Sequence, residues 1–299
     1  MAMWLDLVRG TIHDAPESDD CVQVPVVDGE PHYTQVARSA ATAYGRVDSG
    51  RFDTSHLSPE NTYRIGRDYI AHTLRYGCVL NVVRKLIGAG GSILEMGAGK
   101  ELPALRTMLM DHSAVTDYKP AVYVAADLNP FKYRPAVNGI DIRLLDCTNL
   151  VTHPERVPSG MNFDLVLSFE VLEHMDKADG EKFLDAMFEF AKRKPASTPG
   201  AKSWILLSTP VNNGMVAKNH IYEWRRIELA RALVKRGGNI INEWGMYANF
   251  NDIVPRLSRS EIELWNKMAS FHSPHLLACM FAVDKPDIAR NITWLVEVS

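Results

Sequence analysis

From Ser92 to Thr209 the chain alternates short aliphatic runs with longer stretches of helical periodicity. The runs 92–96 (SILEM), 121–127 (AVYVAAD), 140–146 (IDIRLLD), 163–169 (FDLVLSF) and 203–209 (SWILLST) show little apolar–polar alternation. Strands read this way when neither face meets water, which is the situation inside a parallel sheet. Between them, apolar positions at three- and four-residue intervals predict helices over 102–112, 178–193 and 223–236. Repeated strand–helix units imply an open parallel sheet with right-handed crossovers, an α/β class fold. Further strands are expected at 239–247, 276–283 and 292–298.

Upstream, Ser58-Pro59-Glu60 is a helix start, with Ser at the cap and Pro in the first turn. Ile70, Leu74, Leu80, Val83 and Ile87 continue at roughly helical spacing until 88-GAGG-91 stops it. Residues 14–34 mix Pro, acidic residues and Val and predict an extended, loop-rich lead-in. Two parts follow: an N-terminal helical and loop extension over 1–57, acting as a lid or a docking arm, and one domain over 58–299.

Composition narrows the class. The 299 residues are 46% hydrophobic and 23% charged, enough apolar content to bury a core without disulfide or metal staples. The four cysteines, Cys21, Cys78, Cys147 and Cys279, form no CxxC pair, which fits a reducing compartment. No apolar run approaches the roughly 20 residues of a membrane span, and the N-terminus lacks a basic start followed by an apolar run. A cytoplasmic protein without a membrane partner is expected. The net charge of −3 gives no global attraction for nucleic acid and leaves a local basic patch open.

The sharpest local signal is Glu95-Met96-Gly97-Ala98-Gly99-Lys100, at the end of the first predicted strand. Glycines let the backbone turn tightly and approach a ligand closely. A pyrophosphate cradle needs the next helix N-terminus free of acid, with a third glycine in place. Here Glu101 and Leu102 occupy those places, whereas a cationic amino-acid ligand tolerates acids beside the loop. Asp127 then ends the second strand, placed to accept from two ribose hydroxyls. Asp146 ends the third, where it and the backbone at Cys147 are placed to read an adenine amino group.

LEMGAGK, AADLNP, LLDCTNL, FDLVLSFEVLEHM and the later STP strand end together resemble the class I S-adenosylmethionine-dependent methyltransferases over roughly residues 60–285. The resemblance implies a Rossmann-like, doubly wound, mostly parallel seven-stranded sheet and S-adenosylmethionine as cofactor. It implies cofactor contacts from Glu95, Gly97, Ala98, Gly99, Asp127, Leu128, Asp146, Cys147 and Phe169. The sequence departs from the family pattern in two respects: Glu101 replaces the third glycine, and the stretch from Glu95 to Asp127 is longer than usual.

After the fourth strand comes Glu170-Val171-Leu172-Glu173-His174. In a helical turn Glu170, Glu173 and His174 share one face, two carboxylates and an imidazole suited to Mg²⁺ or Mn²⁺. The alternative is a capping Glu and a His packed on the sheet. Farther on, 208-STPVNNGMVAKNHIYEWRR-226 carries His220 into a helix. ExxEH, STP and His-x-x-Glu-Trp in that order resemble the small-RNA 3′-terminal 2′-O-methyltransferases, with Arg225 standing where that family usually has Thr. The resemblance implies Glu170, Glu173, His174 and His220 as metal ligands gripping vicinal ribose hydroxyls. Ubiquinone-biosynthesis O-methyltransferases share a similar ExxEH segment and act on catechol-like hydroxyls. Without a metal, His174 or His220 serves as general base, or His220 simply bonds Glu223 or a backbone carbonyl. Arg225, Arg226, Arg231, Lys235 and Arg236, with Arg64 and Arg67, meet a phosphate-bearing acceptor or form a solvated face. Tyr63, Tyr69, Tyr222 and Trp224 stack on a base or pack half-buried. The acceptor is thus an RNA end or a small hydroxyl-bearing metabolite. A silent cofactor-binding interaction module is the reading from another class.

Overall fold

A computed structural model describes residues 3–6, 12–16, 21–24, 67–88, 90–99, 102–110, 120–131, 135–136, 139–146, 149–192, 202–212, 214, 216–272 and 274–298. Three short strands come first: β1 (Met3–Asp6), β2 (Ile12–His13) and β3 (Cys21–Val24). They form an antiparallel sheet in the order β2-β1-β3, where a helical and loop extension was expected. Helix α1 (Arg67–Val82) follows and widens into a π turn at Val83–Ile87, ended by Gly88 at φ 70°.

The main sheet has seven strands: β4 (Ser92–Met96), β5 (Val122–Asp127), β6 (Asp141–Asp146), β7 (Leu165–Phe169), β8 (Ser203–Pro210), β9 (Gly238–Tyr247) and β10 (Asn291–Val298). Their spatial order is β6-β5-β4-β7-β8-β10-β9. The pairs β4–β5, β5–β6, β4–β7 and β7–β8 are parallel. The chain winds outward from β4 to β6, then returns and winds the other way through β7 and β8. The sheet is therefore doubly wound, with its topological switch between β4 and β7. β7 and β8 are buried at every position, which explains their unbroken aliphatic sequence.

Helices α2 (Pro103–Met110), α3 (Lys177–Lys192) and α4 (Arg226–Lys235) fall where helical periodicity predicts them. α3 buries Phe183, Leu184, Met187, Phe188, Phe190 and Ala191, apolar residues at helical spacing. By contrast, 276–283, expected as a strand, lies almost wholly in helix α7 (Pro274–Phe281). A short apolar run does not distinguish a buried strand from a buried helix. α5 (Phe250–Ile253) and α6 (Arg259–Met268) precede it. α6 starts on a capping box: Glu261 N donates to Ser258 Oγ (3.3 Å) and Ser258 N to Glu261 Oε2 (2.6 Å).

Two compact units result. One comprises Met1–Leu74, Asn213–Met215 and Trp244–Ile292, with a core that includes Phe250, Ile253, Val254, Trp265, Leu277 and Ala278. The other comprises Arg75–Asn212, Val216–Glu243 and Thr293–Ser299, and contains the predicted site residues. Among the described residues no helix is long and apolar enough to cross a membrane.

Candidate active site

The site is built at the carboxyl ends of β4, β5 and β7, on both sides of the switch. Beyond Met96 the chain folds back over β5, with Gly97 N (2.8 Å) and Ala98 N (3.1 Å) both donating to Ala126 O. Gly97 and Gly99 take φ of 80° and 70°, conformations that side chains resist. A Cβ at Gly97 would stand 2.2 Å from Val171 Cγ2. The loop thus needs glycine for its own path before any ligand is considered. Asp127 Oδ2 accepts from Gly99 N (2.9 Å), and its Oδ1 accepts from Asn129 N (2.8 Å). The carboxylate therefore stands beside the glycine loop, and the neighbouring Leu128 is 64% exposed. Asp146 closes β6 in register with Asp127. Cys147, Lys100 and Glu101 lie outside the described residues.

Glu95 is buried beneath this loop, and the Tyr123 hydroxyl donates to its Oε2. Burial pushes the carboxyl up to about 8, the Tyr123 hydrogen bond opposes this, and the Asp127 charge adds to it. Glu95 therefore keeps its proton at neutral pH. Its contact in this structure is to the protein, under the loop.

Across the switch, Phe169 is buried and meets Tyr76 edge-on, ring centroids 6.1 Å apart. Glu170 follows at φ 56°, a left-handed conformation uncommon for glutamate. It reverses the chain directly after β7, and the turn that follows is a 3-10 turn over Leu172–His174. Glu170 thus lies outside the turn, so the expected single helical face of Glu170, Glu173 and His174 does not form. The Glu170 amide donates to Ser208 O (2.9 Å). Its Oε1 accepts from Ser208 Oγ (3.0 Å) and pairs with Arg75 Nη2 (3.0 Å), a guanidinium that is 1% exposed.

Glu173, His174 and His220 do converge: one ligand atom from each lies within 4.8 Å of the others. Glu173 is buried, and its Oε2 accepts from Thr209 Oγ1 (3.0 Å). Burial first, and the Glu170 charge second, hold its carboxyl well above the usual range. Its backbone oxygen accepts from Ile221 N (2.8 Å), which fastens the His220 loop to the turn after β7. His174 Nδ1 lies 3.1 Å from Asn219 O, and a carbonyl only accepts, so Nδ1 carries the hydrogen. His220 Nδ1 lies 2.5 Å from Glu223 Oε1, the partner expected if His220 were structural. Both Nδ1 atoms are thus engaged, which leaves each Nε2 lone pair for a cation or a proton. Metal-ligating histidines are commonly oriented this way. The donor set of one carboxylate and two imidazoles fits a first-row transition ion such as Mn²⁺ better than Mg²⁺.

Thr209, Glu223, Tyr123 and Arg75 complete the site. Thr209 and Glu223 had a signal in STP and His-x-x-Glu; Arg75 had none beyond a charge within an apolar helical pattern. Trp224 is buried, so it packs and does not stack on a ligand. Tyr222 donates to Glu228, Arg226 pairs with Glu243, and Arg236 pairs with Glu181 and Asp185. Tyr63 and Arg64 lie outside the described residues.

No family model and no curated protein matches the sequence. Solved structures similar to the chain include a SAM-dependent methyltransferase from Archaeoglobus fulgidus, at 14% identity and TM-score 0.45, covering 82% of this chain and 100% of that one. The magnesium protoporphyrin IX methyltransferase of Synechocystis is similar at 11% identity and TM-score 0.44, over 78% of this chain and 82% of that one. The small RNA methyltransferase HEN1 is similar at 12% identity and TM-score 0.48, over 78% of this chain and 26% of that one.

Proposed function

We propose that this protein is an S-adenosylmethionine-dependent methyltransferase that transfers to a hydroxyl, with a divalent cation at Glu173, His174 and His220. One observation carries the reading. The glycine loop and Asp127 stand at the ends of β4 and β5, and the Glu–His–His cluster follows β7, immediately across the topological switch. Open α/β sheets bind ligands in that crevice. The loop side suits a nucleoside with a cationic amino-acid tail: Asp127 offers two carboxylate oxygens for vicinal ribose hydroxyls.

When bound, S-adenosylmethionine supplies a methyl on a sulfonium. The acceptor oxygen forms the new C–O bond as the S–CH₃ bond breaks, and that electron pair stays on sulfur to give the thioether. The protein must hold the acceptor in line and remove the hydroxyl proton. A cation held by Glu173, His174 and His220 would lower that hydroxyl's pKa and orient it. The preferred acceptor is a vicinal diol such as an RNA 3′ end. A second reading rests on the same geometry: the Nε2 lone pairs of His174 and His220 accept the proton directly from a small metabolite.

The test is methyl transfer from labelled S-adenosylmethionine to a short RNA with a free 3′ diol, to the same RNA after periodate oxidation, and to a catechol. Label on the intact RNA alone, abolished by chelator, supports the cation-assisted reading. Chelator-insensitive transfer to the catechol favours the histidine base. Cofactor binding without transfer to any acceptor points to a silent module.

A further inference from the structure

Glu170 and Glu173 stand three residues apart, yet they have unlike surroundings. Glu173 turns to Thr209 and the two histidines. Glu170 turns to a closed triangle: Arg75 Nη2 and Ser208 Oγ both reach Glu170 Oε1 at 3.0 Å, and Arg75 Nε donates to Ser208 Oγ at 2.9 Å. The Glu170 backbone, at a left-handed φ, is fixed to the same residue through Ser208 O. The guanidinium is buried, and a buried charge requires a counter-charge. Drawing Glu170 toward a cation would strip Arg75 of that carboxylate inside the protein.

We propose that Arg75 sets the composition of the cation site. It reserves Glu170 as its own counter-ion, so the ion is held by one carboxylate and two imidazoles, Glu173, His174 and His220. This rests on the cation-assisted reading above and departs from the four-ligand set that the ExxEH resemblance implies. Arg75 acts as a positioning residue, without touching ion or acceptor. A site with one carboxylate carries one negative charge fewer and leaves more positions for acceptor oxygens. It also shifts preference from Mg²⁺ toward Mn²⁺, because imidazole nitrogen makes up two of its three donors.

Mn²⁺ binding to the full chain, read by electron paramagnetic resonance of the free ion, tests the proposal without any turnover. Wild type is compared with Glu173→Gln, Glu170→Gln, Arg75→Met and the Arg75→Met/Glu170→Gln pair. The double variant removes the buried guanidinium and its partner carboxylate together, so it leaves no buried charge stranded, as Glu170→Gln alone would. Expected are a loss of roughly 100-fold or more in Glu173→Gln and wild-type affinity, within about threefold, in the double variant. Arg75→Met alone, with Glu170 released, binds Mn²⁺ roughly tenfold tighter or more, a gain erased by adding Glu170→Gln. Loss of Mn²⁺ from the double variant comparable to that in Glu173→Gln would overturn the proposal while leaving a cation site in place. No Mn²⁺ binding by the wild type would overturn the cation site itself.

Discussion

Replacing Gly97 by Ala separates two costs that the glycine loop imposes. The residue sits at φ 80°, where a side chain meets the following carbonyl, and this costs about 1–2 kcal/mol. The new Cβ would also stand 2.2 Å from Val171 Cγ2 and 3.1 Å from Cγ1, so Val171 must move within a packed turn. Overpacking of that kind costs about 1–3 kcal/mol. Gly97→Ala should therefore lose about 2–5 kcal/mol in urea unfolding. Gly90 is the internal control: its φ is 81°, and nothing lies within 4 Å of a Cβ built there. Gly90→Ala should lose only the conformational part, about 1–2 kcal/mol. Combining Gly97→Ala with Val171→Ala should recover the steric part, read as the interaction energy of the double-mutant cycle. Equal losses in Gly97→Ala and Gly90→Ala, or no recovery with Val171→Ala, would refute the packing account of this loop.

The Glu95 carboxyl gives a pH dependence with a definite sign. Its folded value is raised from 4.5 to about 8, so the native state holds a proton that the unfolded chain has released. Its contribution is complete below about 4.5 and is lost as pH rises to about 8, at up to about 1.4 kcal/mol per pH unit. Unfolding titrations at pH 5 and pH 8 should show a smaller loss on alkalinisation in Glu95→Gln than in wild type; equal losses would contradict it. Tyr123→Phe removes the hydroxyl that opposes the shift, so the Glu95 carboxyl should titrate higher still, measured by the carboxyl carbon chemical shift. Thr209→Val leaves Glu173 Oε2 without the donor that orients it and should weaken Mn²⁺ binding roughly 10-fold or more. Glu223→Gln keeps a partner at His220 Nδ1 while removing its charge, and should produce a smaller loss in the same titration.

The strands from β4 to β8 were legible because a parallel sheet covered on both faces imposes continuous aliphatic runs. The periodicity of α3 was legible because one of its faces is buried. The run at 276–283 carried the same apolar density, and its helical state rests on Pro274 in the first turn, a start signal that outweighs the strand-like composition. α6 was not among the helices expected from the sequence, although Ser258 and Glu261 form its capping box. Within the site, Glu173, His174 and His220 were visible through their spacing and resemblance, and each is brought to the same place. The separation of Glu170 from them was not legible. It depends on a left-handed residue and on a buried arginine contributed by a helix before β4, and spacing along one segment reports neither.

In the proposed function the glycine loop and Asp127 hold the nucleoside of S-adenosylmethionine. Isothermal titration of S-adenosylhomocysteine into wild type and Asp127→Ala tests it most directly. One site is expected in the wild type, with a loss of roughly 10- to 100-fold in the variant, as removal of hydrogen bonds to a charged group implies. No binding by the wild type, with NADH taken up in its place, would contradict it.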